Sequence, residues 1–135
     1  MGDATVANVT IRDAEAAHFD RLAADWWNPR GSSAMLHRLN PVRLAFLRAA
    51  IDLHWGGDIE SAAPLAGRTA LDVGCGAGLL AEPLARLGAA VTGGDAAPGN
   101  IAAAQAHAAG SELAITYHAG ELSTLDVDGG FVAIG

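Results

Sequence analysis

A chain of 135 residues is room for one domain. With 51% hydrophobic against 17% charged residues it stands far from a disordered composition. Its formal net charge is −7, and residues 1–60 hold 6 Arg against 8 acids while residues 61–135 hold 2 against 7; without a single Lys it lacks the clustered positive charge that a nucleic-acid partner needs.

Residues 1–12 carry no strong pattern and are expected to be a flexible N-terminus. From Asp13 the pattern turns helical: Phe19, Leu22, Ala23, Trp26 and Trp27 recur at three- and four-residue spacing, and Pro29 and Gly31 close the helix. A second helix is expected after Asn40, with Asn40 as N-cap and Pro41 as its first residue. Its apolar face is Val42, Leu44, Ala45, Leu47, Ala49 and Ile51, and Gly56-Gly57 ends it. Residues 13–57 thus form an N-terminal helical segment, and a connector with Pro64 and Gly67 leads to a second unit over 68–135. There the rhythm changes to short apolar strands. Residues 69–73 read as a strand, 79–87 as a helix that Pro83 should bend, 90–94 as a second strand reaching Asp95, 98–109 as an Ala-rich helix opened by Pro98, and 113–118 as a third strand. The alternation predicts an α/β fold, the βαβαβ half of a doubly wound parallel sheet, with 69–73 beside 90–94. Phe131-Val132-Ala133-Ile134 is a candidate stub of a fourth strand.

The single Cys75 excludes an intrachain disulfide framework, and no His, Cys or acid near it has metal-ligand spacing. The first residues lack the cationic and apolar regions of a secretory signal, and no run approaches ~18 apolar residues. These readings predict a soluble, cytoplasmic chain, in which the sequon Asn8-Val9-Thr10 is a chance match.

The stretch that carries chemistry is Leu71-Asp72-Val73-Gly74-Cys75-Gly76-Ala77-Gly78, with Asp95 seventeen residues after Gly78. Alternating glycines let a strand turn sharply into a helix and leave no Cβ between backbone and ligand. The helix N-terminus beyond them favours an anionic group, and an acid ending the next strand is placed to accept hydrogen bonds from ribose hydroxyls. A dinucleotide fold wants a third glycine where Leu79 stands; the G-x-G-x-G spacing looks like that of class I methyltransferases, which bind S-adenosylmethionine. A tight turn with no ligand is the plain alternative.

The front half adds a more specific likeness. Trp26-Trp27 followed by His37-Arg38-Leu39-Asn40-Pro41-Val42-Arg43-Leu44, then Leu71 to Glu82, then Val91-Thr92-Gly93-Gly94-Asp95, resembles the ubiquinone-biosynthesis O-methyltransferases, the UbiG family, over roughly residues 13–120. The resemblance implies an incomplete Rossmann-like class I methyltransferase fold, truncated after about the third or fourth strand. It implies an enzyme that methylates a ring hydroxyl of a polyprenylated catechol with S-adenosylmethionine as cofactor. The cofactor-binding residues it implies are Arg43, Asp72, Gly74, Gly76, Gly78 and Asp95. Arg43 also suits a physical role, a guanidinium gripping a carboxylate in two places. Trp26, Trp27 and His37 read more readily as packing residues. No catalytic base is identified, although His118 lies nearest the expected cleft, and no metal is expected. The implied partners are a lipid-tailed phenol, the inner membrane touched peripherally through that lipid, and further copies of the chain through an exposed sheet edge. A non-catalytic cofactor-binding fragment and another small-molecule class I methyltransferase remain as alternatives.

Overall fold

The structure, a computed structural model, describes the backbone of residues 2–121 and 131–134 and the side chains of residues 13–121. The elements run α1 (Gly2–Trp27), α2 (Ala34–Trp55), β1 (Thr69–Val73), α3 (Ala81–Arg86), β2 (Ala90–Asp95), α4 (Pro98–Ala108), β3 (Ile115–Ala119) and β4 (Phe131–Ile134). The four strands form one parallel sheet in the order β3-β2-β1-β4. β1 therefore has β2 on one side, with Asp72 opposite Gly93, and β4 on the other, with Asp72 opposite Ala133. The chain leaves β1 toward one flank and returns to the other. That reversal of direction opens a crevice at the carboxyl ends of the strands.

Short apolar strands separated by helices are what parallel pairing needs, because each crossover must span the sheet and cover a face. One core joins α2 and α3 to the sheet through Ile51, Leu65, Ala70, Leu80, Leu84, Ala89 and Val91. A second, built on Ala23, Ala77 and Ala103, seats α1 on α4, with Trp26 and Trp27 packed against it. The connector between α2 and β1 is pinned by Arg48. Its Nε donates to both carboxylate oxygens of Asp52 at 3.0 Å, and its two terminal nitrogens reach the carbonyls of Ser61 and Ile59. Arg68 caps the arrangement by lying 4.1 Å over the Trp55 ring.

Four boundaries differ from the sequence reading. Residues 2–12 are helical and continue α1 rather than preceding it; a helix anchored farther along propagates one bond per residue without needing an apolar stripe. α2 begins at Ala34, so Pro41 lies inside it and Asn40 does not cap it. The early start is carried by Gly31 and Ser33, whose carbonyls accept from the Ala34 and Leu36 N–H groups. α3 spans only six residues, preceded by turns through the glycine stretch, and Pro83 falls in its first turn. There Pro83 leaves the carbonyl of Leu79, four residues back, without its helical donor, and the Asn40 side chain supplies one, Nδ2 donating at 2.7 Å. β3 starts two residues late because Glu112 takes φ 61° and the Leu113 N–H turns to the Ser111 hydroxyl. Of the expected unit 68–135, residues 122–130 and 135 lie outside the described residues.

Candidate functional site

The glycine stretch hangs from the end of β1. The Gly74 and Cys75 N–H groups both donate to the Gly94 carbonyl, at 2.8 and 3.0 Å, so the turn is tied to β2 before it leaves the sheet. Gly74, Gly76 and Gly78 have φ of 70°, 54° and 89°, the left-handed region that favours glycine. Space restricts them too: a Cβ on Gly76 would stand 3.0 Å from the Trp26 ring, and one on Gly78 would collide with the Tyr117 hydroxyl. The loop is pressed between an aromatic ring from α1 and a phenol from β3.

Asp95, at the end of β2, holds the loop's shape. Its carboxylate accepts from the Gly76 N–H at 3.0 Å and from the Ala97 N–H at 2.8 Å, with the Asn100 amide at 3.4 Å. A carboxylate offers about four acceptor positions, and this one is half-buried, so it retains capacity toward a ligand. From the other side Trp27 Nε1 donates to the Ala77 carbonyl at 3.0 Å, while the Trp26 carbonyl accepts from His37 Nε2 at 2.8 Å.

Two clefts flank this loop and share Gly74. One, about 170 Å³, is lined by Trp26, Leu36, Arg43, Gly76, Leu79 and Leu80 among others. The other, about 430 Å³, is lined by Val73, Gly94, Asp95, Ala96, Gly120 and Glu121. The guanidinium-bearing Arg43 lines one cleft and the carboxylate-bearing Asp95 the other, on either side of Gly74. Of the six residues expected to bind cofactor, Arg43, Gly74, Gly76 and Asp95 line these clefts. Asp72 lies in the sheet, 0% exposed, and Gly78 packs over Tyr117; neither lines a cleft. The expected helix N-terminus is also differently used: the Gly76 N–H serves Asp95 and the Gly78 N–H serves the Cys75 carbonyl. Trp26 is the cleft-lining member of its pair, and Trp27 and His37 hold the turn that carries it. His118 sits in register with Gly94 but lines neither cleft. Leu36 escaped the sequence reading because α2 was expected to begin beyond it, at Asn40; Ser33 is the N-cap of the early turn that carries it, without a side-chain capping bond.

Burial, then the nearby Asp72 and Asp95 carboxylates, push the Cys75 thiol up to about 12. Burial foremost, with Glu82, Cys75 and Asp72 around it, likewise raises the Tyr117 phenol. Both groups are thus neutral fixtures rather than nucleophiles. Among the described residues no three His, Cys, Asp or Glu side chains cluster as a metal ion would require, and no helix is long and apolar enough to cross a membrane.

Comparison with known proteins bears on what this site holds. Residues 70–134 match the model of the methyltransferase domain family. The ubiquinone biosynthesis O-methyltransferase of Azorhizobium caulinodans is 50% identical over 119 residues, 88% of this chain and 47% of that protein. The one from Bartonella bacilliformis is 51% identical over 110 residues, 82% of this chain and 44% of its own length. The chain spans about half the length of the curated relatives it matches. A solved structure from Pyrococcus horikoshii, assigned as an RNA methyltransferase, superposes with a TM-score of 0.50 at 16% identity, covering 64% of this chain and 40% of that one; it attests the Rossmann-like fold.

Proposed function

Because the chain is a relative of the ubiquinone biosynthesis O-methyltransferases and carries a methyltransferase domain, we propose that it binds S-adenosylmethionine across the two clefts that meet at Gly74. Its reaction is then the transfer of a methyl group to a ring hydroxyl of a polyprenylated phenol. The observation that carries the reading is the shared glycine loop with Arg43 on one side and Asp95 on the other.

The residues fit such a molecule from end to end. Arg43 is always charged and forked, so it suits the amino-acid carboxylate. Gly74 and Gly76 bring bare backbone against the ligand. Asp95 can accept from a ribose diol while keeping its bonds to the loop. When bound, the group supplies an electrophilic methyl on sulfur. Methyl transfer to a phenolic oxygen also needs the acceptor aligned and its proton removed. Neither cleft is lined by a histidine among the described residues, and the larger one is lined by the carboxylates of Asp95 and Glu121. Burial of Leu79 where a dinucleotide fold needs its third glycine argues against a nicotinamide cofactor.

A lipid-tailed acceptor would bring the protein to the surface of the inner membrane from the cytoplasm, and the sheet edges at β3 and β4 would favour self-association. The decisive test is calorimetric titration with S-adenosylhomocysteine. Micromolar binding is expected for the native chain. Asp95→Ala is expected to lose about 1–3 kcal/mol, the scale of hydrogen bonds to a charged group, and Arg43→Gln a similar amount. Equal binding by Asp95→Ala, or preference for NAD, overturns the reading.

A further inference from the structure

Glu82, like Asp72 in the sheet, is a fully buried carboxylate outside the clefts, 1% exposed on α3. Its carboxylate accepts from Arg86 at 3.1 Å and from His107 Nδ1 at 2.5 Å, the latter on α4. The His107 ring lies flat on Trp27, with centroids 3.8 Å apart and planes within 3°. Trp27 in turn donates to the Ala77 carbonyl in the glycine loop, and Trp26, the next residue back, covers Gly76 and lines the Arg43 cleft. Nothing in the binding path explains why a buried carboxylate should be spent here. A buried charge is costly unless it is paired and hydrogen-bonded, and this one is paired with a ring whose other contact is the face of Trp27.

We propose that His107 is a positioning residue for the cofactor site: oriented by Glu82 and stacked on Trp27, it fixes the Trp26–Trp27 turn of α1 against the glycine loop and so sets the wall of the Arg43 cleft. The inference rests on the S-adenosylmethionine reading and deepens it. The order of action follows from the geometry. Glu82 fixes the imidazole plane through Nδ1; the plane fixes the indole of Trp27; the indole N–H grips Ala77; and Trp26 is then held over Gly76 with its ring in the cleft. His37 secures the same turn from α2 by its bond to the Trp26 carbonyl.

The test compares His107→Ala, His107→Phe, Glu82→Gln and the remote control His54→Ala in the full chain. Three readouts are taken: affinity for S-adenosylhomocysteine by calorimetry, acrylamide quenching of tryptophan fluorescence, and melting temperature. His107→Ala is expected to bind roughly tenfold more weakly, the scale of a lost aromatic stack, and to quench more readily. His107→Phe keeps a flat ring on Trp27 and is expected to recover most of the affinity. Glu82→Gln is expected to fall between, and His54→Ala, whose ring meets Trp55 edge-on, to match the native chain in affinity. A melting temperature lowered in His107→Ala with unchanged affinity and quenching overturns the proposal, since that is what simple helix docking predicts. So does a His107→Phe variant as weak as His107→Ala. Should His107→Ala fail to show native far-UV circular dichroism, His107→Gln replaces it under the same criteria. A native chain that binds no S-adenosylhomocysteine overturns the cofactor reading and this proposal with it, whereas native binding with an equal His107→Ala overturns only the proposal.

Discussion

Cys75 shows how one side chain can record the electrostatics of the whole loop. Its thiol stands at about 12 against 9.0 in an open chain, so the folded state holds that proton more tightly than the unfolded one. The linked stability is fully present below about pH 9 and is lost as the pH climbs toward 12. Tyr117 acts in the same direction over a higher range. The urea midpoint is therefore expected to fall between pH 9 and 11, and less steeply in Cys75→Ala. Iodoacetamide at pH 8 is expected to alkylate the native thiol far more slowly than the unfolded one, by roughly a thousandfold in thiolate fraction. The Tyr117 hydroxyl is itself buried with no hydrogen-bond partner among the described residues. Tyr117→Phe is accordingly expected to leave the melting temperature unchanged or raise it, since no bond is lost and a stranded polar group is removed. Residue by residue, the sequence marked the glycines and Asp95 by the spacing of a strand-to-helix turn and Arg43 by resemblance to a family, and Arg43, Gly74, Gly76 and Asp95 all line the two clefts. It could not disclose that Asp72 faces the interior, since the burial of one acid within an apolar strand depends on neighbours contributed by other strands.

The elements meet through exchanged hydrogen bonds that chain order hides. Pro83 strips the Leu79 carbonyl of its helical donor, and Asn40, from the middle of α2, replaces it. Asn40→Ala is expected to cost about 1–3 kcal/mol by chemical denaturation, the penalty of an orphaned carbonyl. Pro83→Ala restores an N–H four residues on, so Asn40→Ala is expected to cost less in that background. Equal costs in the two backgrounds would show that the bond to Leu79 is not what Asn40 contributes. This exchange also explains why Asn40-Pro41 misled as a helix start: an excellent cap sequence was recruited for a contact thirty-nine residues away. α2 carries a second apolar stripe, Met35, Leu39, Val42, Phe46 and Leu53, 46–88% exposed and spaced in threes and fours. Opposite its core-facing Leu44, Leu47 and Ile51, that stripe makes the helix apolar on two faces, so amphipathic periodicity alone did not orient it. Folded chain is expected to bind the dye ANS, and Val42→Gln with Phe46→Gln is expected to weaken that binding without changing far-UV circular dichroism.

For the molecule as a whole, the parallel pairing of β1 with β2, though not the flank that β4 takes, followed from strand–helix alternation with right-handed crossovers. The packing of α1 on α4 did not, since it rests on small residues, Ala23, Ala77 and Ala103, which make no apolar pattern of their own. The sheet order also dictates a sequence of events in time. β1 finds β2, and β2 finds β3, by closing spans of about 20 residues, while β4 must close one of about 60 to reach β1. The longer closure costs on the order of 1 kcal/mol more in chain entropy. As the chain emerges during synthesis, the sheet therefore grows from β1 toward β2 and β3 before β4 adds on the other flank. The residues named as lining the two clefts beside Gly74 all precede β4 in the chain, so they emerge before that strand can pair with β1.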